Sequence, residues 1–140
     1  MSTSALATLL RLRTAAREES QTALRRAEDE RDAQARRLEA VQEATARARS
    51  ELDPNDAGAL LAYHSFRTRQ EVTERREAAK LGQRDRELDH KRGIHVSRVR
   101  DELAMGNVIE AREQEAEREA AELDARRMDE LASRASLAGC

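Results

Sequence analysis

The chain has almost no aromatic residues: tryptophan is absent, and Tyr63 and Phe66 are its one tyrosine and one phenylalanine. Compact domains take much of their buried area from aromatics and branched aliphatics. Here the 39% hydrophobic fraction is led by alanine, which offers little surface to bury, so a thick globular core is excluded. Cysteine is nearly as scarce. Cys140, the single one, has no partner for an internal disulfide and lacks the three following residues of a prenylation box. No apolar run approaches the ~20 residues needed to span a bilayer. No secretory h-region is visible, so the expected location is cytosolic. The start, "MSTSALATLLRLRTAAR", has the Arg, Ser and Thr of a mitochondrial presequence but reads first as the opening turns of an amphipathic helix. An excess of charge of one sign is missing too. Twenty-six basic residues against 28 acidic ones leave a net charge of −2, with no basic face for nucleic acid or an acidic membrane.

Chemistry is equally hard to find. A catalytic site needs groups converging in a dry concavity, and no Gly-rich phosphate loop or nucleophile–base arrangement is present. His90 and His95 are five apart, which puts them ~140° apart on a helix and rules out a facial metal pair. With His64, they read as solvent-facing. The expectation is a non-enzyme with no cofactor and no metal.

What the chain does have is charge, at 39% of residues, set among strong helix formers. From Ser4 to about Glu51 neither glycine nor proline interrupts. Leu6, Leu9, Ala16, Ala23, Ala27, Leu38, Val41 and Ala48 recur at sums of three and four, with Arg13, Ser20, Glu30 and Gln34 on or near the same stripe. Such a narrow, alanine-rich seam makes a helix that is marginal alone. Then comes "LDPNDAGALLAYHSF", which holds the only proline and both aromatics. Pro54 disfavours helix at Asp53, and Asn55 or Asp56 can cap the next helix. A connection this short makes the two helices antiparallel neighbours.

A second helix is expected from about Ala57 to Ala135, its apolar line marked by Leu60, Tyr63, Phe66, Leu81, Leu88, Val96, Val99, Leu103, Ile109, Ala116, Ala120, Leu123, Leu131 and Ala135. Acid-before-base pairs four apart, among them Glu71/Arg75, Glu87/Lys91 and Asp32/Arg36, support the exposed faces. Gly82, Gly93 and Gly106 weaken the pattern, and "AMGNV" (Ala104 to Val108) is the expected place for a kink near 105–107. The expected fold is therefore all-α: one coiled-coil hairpin over 1–140, with helices about 4–51 and 57–135 and a corner at 52–56. Helices of these lengths, roughly 70 Å and 120 Å, do not match. The longer one must overhang, and its overhanging stripe is the place to look for a partner protein. Met128 and Leu131 share a face there, with Arg126, Arg127 and Arg134 around it.

"LDARRMDELASRA", Leu123 to Ala135, resembles the C-terminal signature of the flagellar export protein family FliJ. "ALATLLRL" resembles its start, and "LAYHSF" (Leu61 to Phe66) resembles the element opening its second helix. The resemblance covers essentially the whole chain. It implies a two-helix antiparallel coiled coil similar to part of the rotary ATP synthase γ subunit. It also implies a non-enzymatic stalk of flagellar type III export, or of virulence-type secretion in the related YscO group. In that family the termini enter the hole of the hexameric, FliI-like export ATPase. Other implied partners are the cytoplasmic domain of the export gate FlhA and the export chaperones. Nucleic acid and direct membrane insertion are not implied. The place is cytoplasmic, at the periphery of the inner-membrane export apparatus. Carried over to this sequence, the ATPase-facing residues are Leu6, Leu9 and Leu10 with Leu123, Met128, Asp129, Glu130, Leu131 and Arg134. The gate-facing ones are Leu38, Val41, Tyr63 and Phe66. The competing reading is a generic dimeric coiled-coil scaffold, in which a second copy covers the overhang.

Overall fold

In a computed structural model, which describes residues 2–139, the chain forms two helices: α1, Thr3–Ser50, and α2, Ala57–Ala138. Cys140 lies outside the described residues. Together they make an all-α helical hairpin, an antiparallel coiled coil. Ser2 caps α1, its Oγ accepting the Ala5 backbone N–H at 3.2 Å. The corner is built from acceptor side chains. Asp53 Oδ1 takes the Asn55 N–H at 2.9 Å, turning the chain around Pro54. Asp56 Oδ1 takes the Ala59 N–H at 3.1 Å, so Asp56 rather than Asn55 is the N-cap of α2.

The chain divides into two compact units. The corner unit spans Glu18–Ser97; the terminal unit takes the chain up to Arg17 and from Arg98 onward. In the corner unit the antiparallel register is written in cross-helix pairs. Ser20 meets His95 at 2.9 Å, Arg31 meets Asp85 at 2.9 Å, Gln34 meets the Glu77 carbonyl at 3.1 Å, and Gln42 meets Glu74 at 3.2 Å. In the terminal unit Arg17 donates to Glu102 at 2.7 Å, and Arg13 lies 3.7 Å from Asp101.

These pairs bear out Leu6, Ala27 and Leu38 as seam residues, with Ser20 and Gln34 beside them, and refine the rest of the stripe. On α1 the buried residues Leu6, Ser20, Ala27 and Gln34 fall on one heptad line. The second line is Leu10, Arg17, Leu24, Arg31, Leu38 and Thr45, all half-buried. Leu9, Ala16 and Ala23, expected in the seam, flank it one residue away, and Glu30 is exposed. On α2 the matching line is Glu74, Leu81, Leu88, His95, Glu102 and Ile109. His95 therefore faces α1 and is not solvent-facing; His64 and His90 are exposed. Several surface pairs also differ from those expected: Glu71 pairs with Arg67 at 3.4 Å and Glu87 with Arg84 at 3.0 Å.

α2 is helical through Gly82, Gly93 and Gly106, and no described glycine has a positive φ. A β-carbon at Gly93 or Gly106 would meet nothing within 4 Å. Neither position needs glycine's freedom, so each carries only its entropic cost. Gly93→Ala and Gly106→Ala should each raise the free energy of unfolding by roughly 0.5–1 kcal/mol in urea titrations. An unchanged or lowered midpoint for both would show that the glycines serve a close approach not seen between these helices.

Candidate docking surfaces

Among the described residues no cluster of three or more His, Cys, Asp or Glu side chains could hold a metal, and no helix is long and apolar enough to cross a membrane. The surfaces worth following are two: the groove beside the corner, and the end of α2.

The corner groove, about 510 Å³, lies between the helices and is lined by Thr45, Ala46, Arg49, Tyr63 and Arg67 among others. Tyr63 and Phe66 are half-buried, as are Leu38 and Val41 on α1. Those four gate-facing candidates sit on or beside the hairpin's own seam. More of the apolar surface near the corner belongs to Leu61, 75% exposed, and to Val72, 52% exposed. Sequence reasoning singled out neither. Leu61 stands inside the "LAYHSF" motif, and its one-sided exposure is the signal that the motif alone does not carry.

In the terminal unit, Leu6 is only 4% exposed, and Leu9 and Leu10 are half-buried. They are covered from α2: Leu6, Ala7 and Leu10 line a pocket with Ile109, Arg112 and Ala116. The first three ATPase-facing candidates are therefore part of the intramolecular seam, level with Ile109. Leu123, Met128, Asp129, Glu130, Leu131 and Arg134 lie about four to seven turns further along α2 and are all exposed. The seven-residue seam line of α2 continues through Ala116, Leu123 and Glu130 to Leu137, the most exposed of the large apolar side chains at 79%. Leu137 escaped sequence reasoning, although extending the Leu88–His95–Glu102–Ile109 line would have reached it. α2 thus carries a seam face, from residue 117 on, with no α1 opposite it.

A match of the family model for the flagellar FliJ protein spans residues 1–139. The chain belongs to the flagellar FliJ family. A FliJ-family chain is a non-catalytic component of flagellar type III protein export. No curated protein and no solved structure matched the chain.

For this FliJ-family hairpin, the electrostatics of the seam are local and polar. Hydrogen bonding to Asp85 holds the Arg31 guanidinium above its ordinary pKa. The Gln34 amide, and after it Lys80, hold the Glu77 carboxyl below its ordinary 4.5. A lowered folded-state value means Glu77 stabilises the hairpin above the unfolded value and loses that contribution as pH falls through the folded one. Gln34→Ala should therefore destabilise the hairpin most at neutral pH, with the gap to the parent narrowing as pH drops below about 4.5. Urea titrations across the acid range measure it. A gap independent of pH would mean that Gln34 acts through packing alone.

Proposed function

We propose that this FliJ-family chain is the coiled-coil stalk between the hexameric export ATPase and the export gate, with the free end of α2 as its ATPase-docking element. The observation that carries this reading is the free end of α2 beyond residue 117, where Leu123 on the unpartnered seam line, and Met128 and Leu131 on another side of the helix, are 51%, 67% and 59% exposed. Long helices keep apolar seam residues where another helix or a cleft covers them. Asp129, Glu130 and Arg134 lie among these side chains and supply charges that set orientation more than affinity. Leu6, Leu9 and Leu10 act in this reading by holding α1 against α2 below the docking end.

The FlhA cytoplasmic domain and export chaperones are the partners proposed for the corner unit, through Leu38, Val41, Tyr63 and Phe66. Docking there at the periphery of the inner-membrane apparatus requires no membrane insertion by this chain.

Replacing Met128 and Leu131 together with Ser tests the docking end. Covering side chains this exposed is worth roughly 1–2 kcal/mol each, so affinity for the FliI-like ATPase should fall by tenfold or more. Helix content should hardly change, because Met128 and Leu131 touch nothing on α1. A binding titration paired with circular dichroism decides the matter. Unchanged affinity would place the docking surface elsewhere; loss of helix with loss of binding would make these residues structural.

A further inference from the structure

The free end of α2 has a second property that apolar exposure alone does not explain. At 100° per residue, Glu117, Ala120, Asp124, Arg127, Leu131 and Arg134 lie on one side of the helix, at the alternating three- and four-residue steps of a coiled-coil seam. The acids occupy the first half of this stripe and the arginines the second. All six side chains are exposed. Among the described residues, Glu117, Asp124, Arg127 and Arg134 make no ion pair or hydrogen bond within their own chain.

We propose that this stripe is an antiparallel self-association surface, its occupant a second copy of the same chain. When two such helices run in opposite directions, a single register satisfies every position at once. Glu117 then faces Arg134 of the second copy, Asp124 faces Arg127, and Ala120 faces Leu131. Twofold symmetry repeats each of these pairs, giving four acid–arginine contacts around two Leu–Ala layers. A parallel arrangement would set acid against acid and arginine against arginine, so the charges choose the direction.

The pairing follows the pattern of the hairpin's own seam, where Arg17 meets Glu102 and Arg31 meets Asp85 at seam positions between Leu layers. Leu123 and Met128 stand on the flanks of the stripe, close enough for the second copy to restrict access to them. Self-association and ATPase docking are then competing uses of one surface. The self-association itself rests on the charge pattern, not on the ATPase reading.

The test uses two charge-reversed forms of the full chain, E117R/D124R and R127E/R134E. The first carries four arginines on the stripe and the second four acids, so each repels its own copy. In sedimentation velocity, the parent chain should shift from monomer to dimer as concentration rises. Each variant alone should stay monomeric over the same range, and an equimolar mixture should form a heterodimer at least tenfold tighter than the parent. High salt should weaken both associations. Circular dichroism of each variant confirms that the helices are intact. A parent that stays monomeric at every concentration overturns the proposal, as does a mixture of folded variants that fails to associate. Dimers of either variant as stable as the parent's would place the interface elsewhere and overturn it equally. The ATPase reading is tested separately, by the paired Met128 and Leu131 variant in a binding titration, so the two readings can fail independently.

Discussion

The hairpin depends on polar contacts at positions where most coiled coils keep leucine. Its buried apolar residues are Leu6, Ala27 and Leu88, and beside them Ser20 and Gln34 are buried as deeply. A seam this thin cannot fix the alignment of two helices by burial, since one Leu–Ala layer resembles the next. Hydrogen bonds can, because a buried polar group left unmatched costs more than a matched one contributes. Sliding α2 by one heptad would set Arg31 against Ala78 or Arg92, and Gln34 against Gln70 or Arg84. Either slip strands the groups that Asp85 and Glu77 now satisfy. Among the described residues, every buried side-chain nitrogen and oxygen has a partner in the observed register. Burial therefore makes the pairing favourable, and polarity makes it unique.

That division of labour explains where the helix breakers fall. Register is set along the seam, so the corner has only to reverse the chain and restart a helix. Asp53 and Asp56 do this with two side-chain acceptors, and Pro54 sits exposed between them. The glycines of α2 are different in kind. Gly93 and Gly106 stand in continuous helix with open space where a side chain would go, so they punctuate nothing.

The helices and their corner were legible in the sequence because their signals are local: an uninterrupted run of helix formers, then proline flanked by capping residues. The phase of the seam was legible only in part, through Leu6, Ser20, Ala27, Gln34 and Leu38, and alanine is the reason. With alanine on every face, an apolar stripe can be drawn through Leu9, Ala16 and Ala23 as readily as through Leu10, Arg17 and Leu24. The cross-helix ion pairs of Arg17 and Arg31 follow the second, and its arginines disguise it as surface. His95 was lost in the same way, since a histidine in a charged run reads as solvated until the helix opposite presents Ser20. Leu6 was placed at a docking end because its partner, Ile109, is more than a hundred residues away in the chain. The heptad phase that Leu6 shares with Ser20, Ala27 and Gln34 was the available clue.

The free end of α2 obeys the same physics with one term removed. Every described residue from Glu117 on is exposed and has no α1 opposite it, so no tertiary burial holds that segment helical. Two things remain. The segment extends a helix already nucleated against α1, which spares it the cost of the first turn. Its alanines, glutamates, leucines and arginines also rank among the best helix formers. Propensity of this kind amounts to a few tenths of a kcal/mol per residue, enough to favour helix without making it unyielding. Its seam face is pre-shaped before any partner arrives, so little ordering entropy opposes docking. A chain with a thicker core could have carried α1 to the same length and covered that face. Here the seam stops where α1 begins, and what remains exposed is the part of a coiled coil that only another molecule can complete.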